Sequence, residues 1–369
     1  MATIFLLATS DIIADQRVHR TASTLVDAGH EVTFVGRKLN FSHLRVARGY
    51  GIHLFRLPFS KGVLFYISFN VWAFFYLLFV KLDLLIANDL DTLLAARLAC
   101  LIRRKPMIYD SHELFTEVPE LINRKVKQRV WQTMEKWLTR GLKHCITVSE
   151  SIACELQKRY NIKCEVVRNL PFRRDTESIN VDEDGMEIIL YQGALNKGRG
   201  LERLIEAMQW VGGAKLVLAG TGDIESELIY LSWHLKLNDT ITFMGKVPLE
   251  DLPKITEKAS LGVSLEEDMG LNYRYALPNK LFDYIQAGLP VLTSDLPEMA
   301  AIVNQYKIGQ TIKSSSSAHT LALKLNQMFA DPISMDVWRK NAKVAAAELN
   351  WENERHKLIA IVNRALPKQ

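Results

Sequence analysis

Thirteen short apolar runs, each closed by turn residues, constrain this chain more than any other feature it carries. The first seven are TIFLLATS (3–10), EVTFVG (31–36), IHLFRLPF (52–59), LDLLIAND (82–89), PMIYDSHE (106–113), HCITVSES (144–151) and CEVVRNLP (164–171). Runs that are apolar throughout and separated by helical stretches fit a parallel sheet covered on both faces. Six more follow: EIILYQGAL (187–195), AKLVLAGTG (214–222), TITFMGKV (240–247), ASLGVSLEE (259–267), PVLTSD (290–295) and IGQTIK (308–313). A polar, acidic segment at 173–186 divides the two series and reads as a linker. At 369 residues the chain is too long for one ordinary core and comfortable for two. The expected class is α/β: two doubly wound, Rossmann-like parallel-sheet domains over 1–172 and 187–350. A last helical stretch, 351–366, is long enough to cross back to the first domain. Open parallel sheets bind ligands outside the carboxyl ends of their strands, so two such domains facing one another would line a cleft with both sets of ends.

Charge is unevenly spread. Residues 1–172 hold 24 Lys and Arg against 15 Asp and Glu, whereas the remainder holds 22 against 26. A basic first half points to an anionic surface or substrate on that side. Nucleic acid is not expected, because its binders concentrate cations in a stripe with interleaved aromatics. Cys100, Cys145, Cys154 and Cys164 show no C-x-x-C pair, so neither zinc nor a structural disulfide is expected, and buried free thiols in a reducing cytosol fit best. The N-terminus lacks the basic region and cleavage site of a signal peptide, which points to a cytoplasmic chain. After the first run, Ser10-Asp11-Ile12 offers neither a dinucleotide fingerprint nor a P-loop, and this moves hydride transfer and P-loop chemistry down the order. Asp89-Leu90-Asp91 has D-x-D spacing, which some glycosyltransferases use for a metal–nucleotide pair, but such triplets arise often by chance and this one reads as a strand end followed by a helix N-cap.

The stretch from Glu266 to Asp295 reads as strand end, loop, short helix, turn and strand. Pro278 and Asn279 suit a helix start, with the asparagine side chain as cap, and Gly288 with Pro290 stops the helix. A helix beginning after a buried strand aims unpaired N–H groups and partial positive charge at its ligand, which favours phosphate. Asp283 lies one turn in, placed to accept two neighbouring ribose hydroxyls. An acid there also complements the helix dipole with no ligand at all. Arg274 and Lys280 in the same loop supply cations for anionic oxygens, with Glu266, Glu267 and Asp268 upstream.

YQGALNKGRGLERLIEAMQ (191–209), ITFMGKV and PNKLFDYIQAGLPVLTSDLPE together resemble the retaining nucleotide-sugar glycosyltransferases of family 4, which have the GT-B fold. DQRVHRTASTLVDAGHEVTFVGR, YDSHELFTE and ITVSESIACEL followed by VVRNLP resemble the first domain of the same family, so the resemblance spans nearly the whole chain. It implies a donor diphosphate held after a glycine-rich turn, with Gly193 as its first glycine and Arg199 as the basic residue. Ala194 stands where a companion arginine is usual, and Arg274 or Lys280 is close enough in the loop to replace it. Asn279 opens the helix at the diphosphate. Asp283 corresponds to the ribose-binding acid and Glu267, in Glu267-Asp268-Met269-Gly270, to the acid that contacts the donor sugar, although fifteen residues separate them where seven are usual. His112 matches the histidine that meets the sugar. The family's glycine-rich first loop is replaced here, which leaves Asp15 and Arg17 as candidates for acceptor or phosphate contacts.

Breaking an anomeric bond to diphosphate builds negative charge on the leaving group, which fixed cations and helix N–H groups stabilise. Arg199, Lys280 and the helix at Asn279 would do this without a metal or other cofactor. No carboxylate is apparent behind the anomeric carbon for a double displacement, so the resemblance implies same-face attack, with Asp110, Glu113 or phosphate itself as the proton acceptor. The apolar stretch 63–80 sits at the lower length limit of a membrane span. A span would place two strands of one sheet on opposite sides of a bilayer, so the stretch reads either as a core helix or as one whose aromatic face meets a membrane interface. Arg103, Arg104, Lys105, Arg124, Lys125, Lys127 and Arg129 would assist the second arrangement. The partners expected are a nucleotide-sugar donor, a lipid-linked or polysaccharide acceptor, and an anionic membrane contacted peripherally. Two alternatives share the architecture: a nucleotide-sugar 2-epimerase, and a binding or scaffold protein without turnover.

Overall fold

A computed structural model describes all residues except 11, 13–14, 39–47, 119–120, 122–123, 175–184, 249 and 367–369. Most of the expected linker, 175–184, therefore lies outside the described residues. The chain forms two compact units, one of Met1–Asn169 with the segment from Glu354 on, the other of Leu170–Asn353.

The first unit is built on seven strands, β1 (Thr3–Leu7), β2 (Glu31–Arg37), β3 (Gly51–Phe55), β4 (Leu84–Asn88), β5 (Met107–Ser111), β6 (Cys145–Thr147) and β7 (Glu165–Val166). They lie in the order β3-β2-β1-β4-β5-β6-β7, every pair parallel. Strands β4 and β5 are buried at every residue, as helices on both faces require. The order reverses between β1 and β4, so the loops after these strands diverge and leave a crevice at their carboxyl ends. Helix Trp351–Ala365 joins this unit through an Arg364–Glu165 ion pair at 2.6 Å and through Glu354, which accepts the Arg168 backbone N–H at 2.8 Å.

The expectation for the cysteines is corrected. Cys145 and Cys164 form a disulfide, Cα atoms 4.5 Å apart, because β6 and β7 are sheet neighbours and the crossover between them brings together residues 19 apart in sequence. Cys100 is buried and free, Cys154 exposed and free.

Helix Gly62–Phe79 connects β3 to β4. It is the one helix among the described residues long and apolar enough to cross a bilayer, yet the strands on either side belong to one sheet. Phe65, Phe69, Asn70, Ala73 and Leu77 form its inward face. Asn70 fixes that face on helix Leu90–Arg103, donating to the Asp91 carbonyl at 2.7 Å and accepting from the Ala95 N–H at 2.9 Å.

The second unit has six parallel strands, β8 (Glu187–Gln192), β9 (Ala214–Ala219), β10 (Ile241–Gly245), β11 (Leu261–Ser264), β12 (Val291–Ser294) and β13 (Gly309–Ile312), in the order β10-β9-β8-β11-β12-β13. Its reversal falls between β8 and β11. Helix Asn279–Gln286 lies close over that point because Gly262 has no side chain; a Cβ there would stand 2.4 Å from the Tyr284 ring. The buried Tyr284 hydroxyl meets the carbonyls of Leu190 and Val263 at 3.1 and 3.3 Å and the Gln192 N–H at 3.1 Å, which pins helix to sheet.

Candidate functional site

In the second unit, the loops that follow β8 and β11 are pressed together. A Cβ on Gly200 would stand 2.2 Å from the Leu265 carbonyl oxygen and one on Gly198 2.6 Å from the Met269 sulfur, both at positive φ, so the glycines flanking Arg199 permit the contact. Arg199 and Lys280 then converge on one oxygen of Glu266, Nη1 at 3.4 Å and Nζ at 3.1 Å, while Ser264 Oγ donates to the other at 2.7 Å. Arg199 stacks over Tyr273 at 5.0 Å and Lys280 over Tyr191 at 3.9 Å. Glu266 is wholly buried. Burial alone would raise its pKa, but the charges of Lys280 and Arg199 outweigh that and hold it below the ordinary carboxylate value. Gly193, at φ 131°, lies beside Lys280: a Cβ there would be 3.4 Å from Lys280 Cε.

Asp283 is three residues beyond Lys280 and so its neighbour on the helix face. Its Oδ2 accepts from Gln192 Nε2 at 2.9 Å, and Gln192 Oε1 accepts from Thr256 at 2.8 Å. Arg199, Lys280, Gly193 and Asp283 thus form one constellation over the β8–β11 reversal. Arg274 does not join it on Glu266: it sits at the surface on Asp268, at 2.5 and 3.0 Å. Glu267 is half-buried, held by its backbone N–H on the Gly198 carbonyl at 2.9 Å. Asn279 is the first helical residue and Pro278, at φ −71° and ψ 141°, the capping position, so the expected asparagine cap is corrected: the extended backbone of proline ends one residue earlier.

In the first unit, His112 stands at the carboxyl end of β5, beside the end of its neighbour β4. Asp89 Oδ1 accepts the His112 backbone N–H at 2.9 Å, Asp89 Oδ2 lies 3.4 Å from Nδ1, and Asp110 Oδ2 lies 3.2 Å from Nε2, off the line of a hydrogen bond. Burial would lower the pKa of the imidazole, yet the two carboxylates overcome it and push the ring up to about 9. Arg17 is buried and fully engaged, bidentate on Asp110 at 2.9 and 2.7 Å with its third nitrogen on the Val167 carbonyl at 2.7 Å. It supports Asp110, and through it His112. Asp15 caps its own helix, accepting from the Val18 N–H at 2.9 Å and from Ser10 Oγ at 2.5 Å.

The D-x-D pair divides its work. Asp91 takes the Thr9 hydroxyl and is raised to about 6 by burial, whereas Asp89 stands at φ 61°, a strained position for a non-glycine residue, and caps no helix N–H. Its carboxylate turns to His112 instead, which corrects the expected cap. Glu266 is the member of the second site that the sequence reading passed over in favour of Glu267. The available signal was its position two residues after Ser264, on the same side of an emerging strand.

Two family models match in tandem, one described as Glycosyltransferase Family 4 over residues 14–170 and one described as Glycosyl transferases group 1 over 173–345. The chain belongs to glycosyltransferase family 4. A curated relative, an uncharacterised glycosyltransferase of Methanocaldococcus jannaschii, is 27% identical over 233 residues, which span 56% of this glycosyltransferase and 56% of that relative. Among solved structures, sucrose-phosphate synthase from Thermosynechococcus elongatus matches with TM-score 0.78 at 17% identity over 99% of each chain. Anabaena Alr3699/HepE in complex with UDP-glucose matches at 0.78 and 14%, covering 99% of this chain and 100% of that one. The lipopolysaccharide glycosyltransferase WaaG matches at 0.74 and 15%, over 98% and 99%. The fold is GT-B.

Proposed function

We infer that this glycosyltransferase moves a hexose from a nucleoside diphosphate sugar to a lipid-linked sugar or growing polysaccharide in the cytoplasm, with retention at the anomeric carbon and without a divalent metal. The observation that carries the reading is the convergence of Arg199 and Lys280 on Glu266. Two cations against one buried anion leave positive charge beside Gly193 and a helix start, where a departing diphosphate needs it. The HepE complexes with UDP and UDP-glucose support the donor class. In the step envisaged, the anomeric C–O bond to the β-phosphate breaks, the acceptor oxygen bonds on the same face, and its proton passes to a phosphate oxygen. Asp110 is poorly suited to take that proton. Burial would raise its pKa, but Arg17 and His112 hold it at about 2.

A thermal-shift screen with UDP, GDP, ADP and their sugars tests the donor site. A ligand at a hundred times its Kd stabilises the folded state by about 2.7 kcal/mol, which for a domain of this size is a rise of roughly 5–10 °C. Arg199→Ala, which leaves Glu266 paired with Lys280, and Asp283→Ala are expected to stay folded without ligand and to lose most of the shift. Full shifts in both variants would remove the site assignment. With labelled donor, nucleotide release that depends on acceptor supports transfer. An isomer of the donor sugar would point to the epimerase, and binding without either product to the scaffold.

A further inference from the structure

We propose that the first unit docks on an anionic lipid bilayer through the exposed sides of two neighbouring helices, Gly62–Phe79 and Lys125–Thr139. Opposite the packed side of the first helix, Leu64, Ile67, Val71, Phe75 and Phe79 recur at spacings of three and four, with Trp72 beside them, all exposed and Phe79 at 85%. The stripe runs the length of an 18-residue helix, about 27 Å. A soluble surface rarely exposes so large an apolar band without a partner. Neither this helix nor its capping residues contain an acid, and Lys61 and Lys81 flank it. Leu101 and Ile102 extend the apolar surface and Arg104 follows them.

Helix Lys125–Thr139 supplies the charge. Val126, Val130 and Trp137 are exposed with Lys125, Lys127, Arg129 and Lys136, while its single acid, Glu135, is turned inward at 2% exposure. Tyr66 of the first helix and Trp131 of the second meet edge to face at 5.2 Å, which makes the two helices neighbours. Apolar and aromatic residues among cations, with no acid facing outward from either helix, complement the interface of a negatively charged leaflet. A second copy would bring the same cations against these ones across a two-fold interface, so charge disfavours self-association.

Docking is independent of sugar transfer, and vesicle sedimentation of the full chain reads it without turnover. The chain is expected to pellet with phosphatidylcholine vesicles containing phosphatidylglycerol, weakly with phosphatidylcholine alone, and less as salt rises. Each cation near an anionic surface is worth about fivefold in partition, so Lys125→Glu, Lys127→Glu and Arg129→Glu together should cost about a hundredfold or more. Trp72→Ser with Phe75→Ser should lower binding at least about tenfold at every salt concentration. Circular dichroism melting confirms folding, and Phe79→Ser replaces the pair if it melts early. No pelleting with either vesicle, or pelleting unchanged in both sets of variants, overturns the proposal. So does a dimer in solution that Trp72→Ser dissociates, which would give the face to a second copy.

Discussion

Glu266→Ala should lower the melting temperature by about 6–12 °C and make the protein unusually responsive to nucleoside diphosphates. Removing one partner of a buried ion pair costs about 3–5 kcal/mol, because the other charge stays buried without compensation. Here Lys280 is 8% exposed and loses its carboxylate, while Arg199, at 27%, turns partly to water, so the lower end applies. About 3 kcal/mol corresponds to that fall in a domain of this size, at roughly 2–4 °C per kcal/mol. A diphosphate brings back the missing negative charge, so ligand should raise the variant's melting temperature by more than the parent's. Glu266→Gln, which can still bond Ser264, should fall between. The pKa of Glu266 is depressed in the fold, so its contribution is present above the ordinary value of 4.5 and fades on acidification through the folded value. Parent and variant should therefore converge in acid. A Glu266→Ala protein that melts with the parent and shifts equally with ligand would show that the two cations do not depend on this carboxylate.

The fold was legible because its signals are periodic and local. β1, β4, β5 and β8 are buried on both faces, and continuous apolar runs are the form such strands take in sequence. The Lys280–Asp283 relation was legible for a similar reason, since a spacing of three on a helix fixes a shared face. The other members of the sites depend on distance in space. Glu266 and Glu267 are adjacent and chemically alike, and the approach of Arg199 from the β8 loop, 67 residues earlier, and of Lys280 from the helix after it distinguishes them. The Asp89–His112 contact joins the ends of two neighbouring strands, and the Cys145–Cys164 disulfide likewise needs the sheet order before its partners can be matched. In helix Gly62–Phe79 nearly every residue is apolar, so hydropathy could not separate the faces. Packing separates them, with Asn70 as the polar anchor that points inward.

His112→Gln should make the first unit less stable near pH 6.5 and leave it almost unchanged near pH 9.5. The imidazole rises in the fold from 6.5 to about 9, despite burial that opposes it, because Asp89 and Asp110 face its two nitrogens. A raised basic group stabilises fully below its unfolded value, and the contribution is lost as pH climbs through the folded one. The window therefore runs from about 6.5 to about 9, and the shift corresponds to about 3 kcal/mol at most. Asp89 acts in the same direction: burial raises it against the pull of His112, so its contribution too fades as pH rises. Asp110, held at about 2, is ionised throughout and keeps an anion beside the ring. Urea unfolding across this range should give curves for parent and variant that converge in alkali, whereas a parallel offset at every pH would mean that the histidine serves only by packing. In turnover, loss of this fixed cation should cost about 10²–10³ in kcat. The nucleotide-induced thermal shift should stay at the parent's value, since Arg199, Lys280 and Asp283 belong to the other unit and make no use of this histidine.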